Sequence, residues 1–200
     1  MDWVKKIKDL RHFEGLKQDA LAVQLGVSQA SVSQWERGVV EPPLSVQEKL
    51  RERLAATPAA RFLESLRVSV RTSPNVAGLL IRRNGVPVFE LISDSSAILT
   101  DFLHSDDVGK PIRGLFGPHA DDQLGQLIEA GLFEGRVESA NAVSILRRNG
   151  QVGRVVLSLT SFRVPYGDVV VRLEVRSPTD AEREMGKCSP SLDIVQDPMC

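Results

Sequence analysis

The stretch GVSQASVSQWERG, Gly26–Gly38, reads as one short helix bracketed by glycines. Ser28 stands where an N-cap belongs, so that its hydroxyl can accept a bond from an orphaned N–H of the first turn. Gly26 and Gly38 suit the left-handed backbone that ends one helix and then the next. Only Val32 and Trp35, three residues apart, form an inward face. The other positions are small or polar, with two Gln and three Ser and no charge before Glu36 and Arg37. A surface helix that only packs on a core has a wider apolar stripe and a charged outer face. This helix instead turns a neutral hydrogen-bonding face outward, which asks for a purpose other than solvation.

Working outward, residues 17–24 read as a helix with Leu21 and Leu25 inward and Gly26 as its stop. Residues 2–12 read as an earlier one, with Trp3, Ile7 and Leu10 on one side and Gly15 beyond its end. Glu41-Pro42-Pro43 is a rigid loop, and residues 45–55 form a fourth helix through Val46, Leu50 and Leu54. Helix, glycine stop, serine cap, helix is a helix-turn-helix arrangement. Past Thr57-Pro58, residues 59–70 repeat the helical period with Phe62, Leu63, Leu66 and Val70 on one side, until Thr72-Ser73-Pro74-Asn75 breaks it.

The period then changes to that of strands. VAGLLIRR (76–83) and VPVFELI (86–92) are joined by Asn84-Gly85, a pair suited to a type I′ turn because both residues tolerate positive φ. Residues 94–134 return to helical spacing, most plainly at Leu124, Leu127, Ile128 and Leu132. Residues 136–147, 152–163 and 168–176 are strands again, with Asn149-Gly150 as a second turn of the same kind. The phrase RRNG thus occurs at 82–85 and 147–150 as one local hairpin solution used twice.

The sequence-level fold class is an all-α helix-turn-helix domain at residues 1–56 followed by an α+β domain at 74–176 with a five-stranded antiparallel sheet. Residues 57–73 are a linking helix. Residues 177–200, acidic and poor in apolar residues, are expected to be disordered.

Composition bounds the function classes. Hydrophobic residues make up 42% and charged residues 26%, as in globular domains. No apolar run reaches the roughly 20 residues of a membrane span, and the basic N-terminus lacks the apolar core of a signal peptide. The expected location is cytoplasmic. With 25 Lys+Arg against 26 Asp+Glu, net charge does not announce a nucleic-acid partner, but Lys5, Lys6, Lys8, Arg11 and Lys17 crowd one end. Cys188 and Cys200 have no partner at metal spacing and read as free thiols; no metal site is expected.

Leu16, Gln18, Leu21-Ala22, Leu25-Gly26-Val27-Ser28, Val32-Ser33, Trp35-Glu36-Arg37-Gly38 and Pro42 or Pro43 fall in the order of the XRE family, the lambda Cro/repressor-like helix-turn-helix domains. Residues 4–55 resemble that family. The resemblance implies double-stranded DNA as partner, with base reading at Gln29, Ala30 and Gln34 and, more weakly, Ser33. The chemistry agrees, since Gln can pair with adenine N6 and N7 and Ala can meet a thymine methyl. It further implies phosphate contacts from Lys17, Gln18, Ser28 and Arg37, with Ser28 also serving as a cap. One such unit reads few base pairs, so a homodimer on a pseudo-palindrome is expected.

The order ββ-ααα-βββ, with RRNGVPVFEL, VGKPIRGLF (108–116) and RRNGQVGRVVLSLTSFRV, resembles a PAS domain over residues 74–176. That implies a pocket between sheet and helices, a dimer interface, or both, and at this point the two stand equal. Photoactive flavin chemistry is excluded because residues 74–176 contain no cysteine. His119 lies near the place of a haem ligand in such domains, but its setting, GPHADDQ, reads as a helix start with a surface histidine, and His104 is similar. No cofactor is predicted, and a small-molecule ligand stays open. Phe62, Leu63, Leu66 and Val70 are the candidate dimer seam, against the alternative that they cover their own sheet.

The expected function is therefore a DNA-binding transcription regulator, of repressor type, and not an enzyme. A self-cleaving repressor would need a serine nucleophile motif and a downstream lysine base. The motif is absent, and no lysine lies between Lys110 and Lys187. An antitoxin or adaptor whose C-terminal domain binds another protein remains as a second class.

Overall fold

A computed structural model describes residues 3–96, 102–164, 168–181 and 191–196. Cys188 and Cys200 lie outside these residues. The chain divides into two compact units, one mainly of residues 1–64 and the other mainly of residues 65–163 and 168–200.

The first unit holds α1 (Trp3–Phe13), α2 (Gln18–Leu25), α3 (Gln29–Glu36) and α4 (Leu44–Ala55). Their apolar faces meet in one cluster: Trp3, Ile7 and Leu10 from α1, Leu21, Ala22 and Leu25 from α2, Val32 and Trp35 from α3, and Val46 and Leu50 from α4. Gly26 ends α2 at φ 73°, where its N–H reaches back to the carbonyls of Ala22 and Val23. A residue with a Cβ would be strained there, and the tight stop sets the angle at which α3 begins. Ser28 caps α3 by accepting the Ser31 N–H at 3.1 Å. Ser28→Ala is expected to lower the stability of this unit by about 1 kcal/mol, measured as a fall in the urea midpoint at unchanged m-value.

α5 (Pro58–Arg71) spans the division between the units. The second unit is a six-stranded sheet in the order β2-β1-β5-β4-β3-β6. Its strands are β1 (Val76–Arg83), β2 (Val86–Ile92), β3 (Val137–Arg148), β4 (Gln151–Val164), β5 (Asp168–Arg176) and β6 (Ser191–Gln196), and its one long helix among the described residues is α6 (Pro118–Ala130). Both hairpins turn as their sequences demand. Asn84 and Gly85 have φ of 52° and 82°, and Asn149 and Gly150 have φ of 50° and 79°, the doubly positive pattern of a type I′ turn. The turns fix registers in which Arg83 faces Val86 and Arg148 faces Gln151.

Two features depart from the sequence expectation. The sheet has six strands rather than five, because residues 191–196, expected to be disordered, pair antiparallel with β3 from Val143↔Ser191 to Val137↔Gln196. The cause is local alternation: Leu192 and Ile194 pack against the core of the unit while Ser191, Asp193 and Val195 stay exposed. Within the helical stretch expected over 94–134, the described residues hold 3-10 turns at Ser105–Asp107 and Leu132–Glu134 besides α6. Residues 97–101 of that stretch lie outside the description.

One face of the sheet carries the core. Leu80, Phe89, Val137, Ala140, Leu146, Leu159, Val171 and Leu173 meet Leu124 and Leu127 of α6 and the buried Leu103, Ile112, Phe116 and Leu132 of the connecting segments. The connection is clamped by one ion pair. Arg148 at the end of β3 holds the fully buried Asp107 through bonds of 2.5 and 2.8 Å and also donates to the Phe102 carbonyl at 2.7 Å.

Candidate functional site

On the first unit, the outward face of α3 has a specific internal support. Gln29, Ala30 and Gln34 are exposed and Ser33 is half-buried, while Val32, Trp35 and Glu36 are buried. Glu36, 4% exposed, is held by Arg11, whose Nε donates to it at 2.8 Å. Gln18 Nε2 donates to the other carboxylate oxygen, also at 2.8 Å. Gln18 Oε1 in turn accepts from Gln29 Nε2 at 2.7 Å. A buried charge, a half-buried amide and an exposed amide thus form one chain from α1 through α2 to the face of α3.

The chain has a chemical consequence. A Gln amide carries two N–H donors and an acceptor oxygen. With one donor of Gln29 directed at Gln18, its amide is held in one orientation, with a second N–H and an acceptor oxygen remaining. Burial alone would raise the Glu36 pKa. Hydrogen bonds from Arg11 and Gln18, with the charges of Arg11 and Lys8, outweigh it and hold the carboxyl below its ordinary range. Glu36 is therefore a fixed anion at neutral pH.

The residues expected at phosphate fall around this face. Lys17 occupies the N-cap position of α2 and is exposed. Arg37 is exposed just past α3, with Nε on the Ser33 carbonyl at 3.2 Å. Ser28 spends its hydroxyl on Ser31. Gln18 spends one side-chain N–H on Glu36 and its oxygen on Gln29, so what it offers an anion is its second side-chain N–H and its backbone N–H in the first turn of α2. The sequence reading did not single out Arg11 or the support role of Glu36. The only signal was an acid beside Trp35 on a helix whose outer face is otherwise neutral.

Of the candidate dimer seam on α5, two residues are buried and two are not. Leu66 and Val70 are 8% and 0% exposed within the chain itself, so a second copy cannot reach them. On the same helix Arg67 pairs with Glu90 of β2 at 2.5 Å. Leu63 is half-buried, and Phe62 is 40% exposed.

The second unit holds a partly open cavity of about 90 Å³ between the sheet and α6. Phe89, Phe116, Leu124, Leu146 and Leu157 make most of its wall apolar, and Gln123 and Ser144 also line it. No cysteine is among the lining residues, and His119 and His104 are not among them either.

Residues 5–72 match a family model described as a helix-turn-helix domain. No curated protein sequence matches the chain. Among solved structures, a LOV protein of Rhodobacter sphaeroides shares 16% identity at a TM-score of 0.50, over 64% of this chain and 73% of that one. The PAS domain of BvgS from Bordetella pertussis shares 17% identity at a TM-score of 0.46, over 64% of this chain and 93% of that one. An RNA-binding light-oxygen-voltage receptor shares 10% identity at a TM-score of 0.48, over 92% and 62%. The chain thus carries an N-terminal helix-turn-helix domain and a C-terminal antiparallel sheet with helices in the PAS/LOV fold. No helix among the described residues is long and apolar enough to cross a membrane.

Proposed function

We propose that this chain is a sequence-specific transcription regulator that binds a pseudo-palindromic operator as a homodimer, with the C-terminal unit holding the dimer and responding to a signal. The observation that supports it is the exposed face of α3, whose Gln29 is oriented from behind by Gln18 and Glu36. A merely solvated helix has no use for a surface amide locked to a buried anion. In this reading Gln29, Ala30, Ser33 and Gln34 face base edges, and Lys17, Arg37 and the first turns of α2 and α3 face phosphates. Residues 1–56 act as the DNA-binding domain, 57–73 as the connecting helix and 74–176 as the sensory or dimerising domain.

Selection of duplexes from a random pool tests the reading. The recovered sites should be two-fold related, with half-sites one helical turn apart, and native mass spectrometry should give twice the chain mass. On such a site Gln34→Ala should cost about 1–3 kcal/mol and relax preference at one base position per half-site, whereas Lys17→Ala should weaken all sequences alike and reduce the salt slope by about 1. Recovery of no enriched sequence would overturn the proposal.

A further inference from the structure

Five buried side-chain polar atoms among the described residues of the second unit have no hydrogen-bond partner, and two of them belong to residues that line the cavity: Gln123 Oε1 and Ser144 Oγ. Gln123 is 6% exposed and Ser144 is fully buried. The Gln123 amide cannot be turned round to relieve this. Its Nε2 donates to the carbonyls of Val143 at 3.1 Å and Ser191 at 3.0 Å, and an oxygen in that place would face two acceptors. The amide oxygen therefore presents a fixed acceptor. Ser144 adds a hydroxyl that can donate and accept. A buried polar group left without a partner costs stability, and two of them on one otherwise apolar cavity call for a common occupant.

From this we infer that the cavity is a binding site for a small neutral, mostly apolar molecule carrying one hydroxyl, whose O–H donates to Gln123 Oε1 and whose oxygen accepts from Ser144. A charged ligand is ruled out by the apolar wall, which offers it no counter-ion. Size follows from the volume, about 90 Å³, which is below the roughly 150 Å³ that takes a benzene ring and so suits a short chain of about three carbons. Gln123 also links the site to β6, because the amide that would hold the ligand is the one that holds Ser191. The inference rests on the proposed sensing role of this unit and gives that role a ligand class.

The test is an NMR titration of the isotope-labelled full chain with 2-propanol and with 2-fluoropropane, which replaces the hydroxyl by a fluorine of similar size. The expected result is saturable shifts at Gln123, Ser144 and their neighbours, with the alcohol bound about 10-fold more tightly, the value of one net hydrogen bond. Ser144→Ala should narrow the gap between the two affinities to the part owed to Gln123, while leaving the thermal midpoint unchanged or raised, since the hydroxyl it removes has no partner in the free protein. Ala142→Leu, which fills the cavity from β3, should abolish both. Equal affinity for the two probes, or shifts that survive Ala142→Leu, would overturn the assignment, as would shifts confined to other residues or none at all. The first of these would mean an apolar void; the last would mean a site that holds only water. DNA binding measured on the same samples separates the two readings. A preferred alcohol without effect on DNA leaves the site standing and removes the sensing role, whereas intact DNA binding with no preferred alcohol removes the site alone.

Discussion

Asp107→Ala should destabilise the second unit by about 3–5 kcal/mol, the cost of leaving one member of a buried ion pair uncompensated. Domains of this kind have about 5–15 kcal/mol in total, so the variant should populate unfolded chain at moderate temperature. The size of the effect comes from how completely the carboxylate is used. Both its oxygens accept from Arg148, and Oδ2 also accepts the His104 N–H at 3.0 Å. Without it, Arg148 keeps only the Phe102 carbonyl and the Phe116 ring, 5.9 Å away. Burial raises the Asp107 pKa, but hydrogen bonds from Arg148 and His104, with the charges of Arg148 and Lys110, outweigh it and leave the pKa lowered. A lowered folded value means that the stabilisation is present above the ordinary aspartate range, about pH 4, and is lost as pH falls through the depressed value. Urea unfolding of wild type and variant across acid pH should therefore show a gap that is constant near neutrality and closes on acidification. A gap independent of pH would mean that the pair contributes packing and not charge.

The second large effect is expected at Glu36. Glu36→Ala removes the anion that Arg11 and Gln18 share and should cost about 3 kcal/mol in the first unit. It should also act on DNA, which an ordinary core change would not. With Gln18 released, Gln29 loses its orientation, so discrimination at the base position it reads should fall even where the unit is fully folded. Glu36→Gln keeps the shape and one acceptor and should recover much of the stability. Both are measured by urea unfolding beside competition binding of a selected site against a variant altered at the Gln29 position. Unchanged discrimination in folded Glu36→Ala would show that Gln29 needs no support from behind.

Much of this fold was legible because its signals are local. The two Asn-Gly turns, the glycine after Leu25 and the Ser28 cap each act within four residues, and the elements they separate fall within one or two positions of expectation. What was not legible depends on partners far along the chain. Leu192, Ile194 and Val195 are only three apolar residues in a short segment, and they become a strand because β3, some fifty residues earlier, has an edge to pair. The α5 stripe was plain in the period, but a period does not say what it covers. Arg11 and Glu36 lie 25 residues apart with no spacing rule to join them. Ser144 was readable as an oddity, a hydroxyl among the inward positions of β3 between Ala142 and Leu146. The space it lines was not, since no residue encodes a void.

The strand order also fixes when the second unit can form during synthesis. β5 lies between β1 and β4, so the β1–β2 hairpin and the β3–β4 hairpin have no shared neighbour until residue 176 has left the ribosome. At about 5–20 residues per second, the stretch from the end of β2 to the end of β5 takes several seconds to emerge. The four helices of the first unit, whose contacts are local, have that time to fold alone. A nascent chain can thus present α3 in finished form before the unit proposed to pair it with a second copy exists.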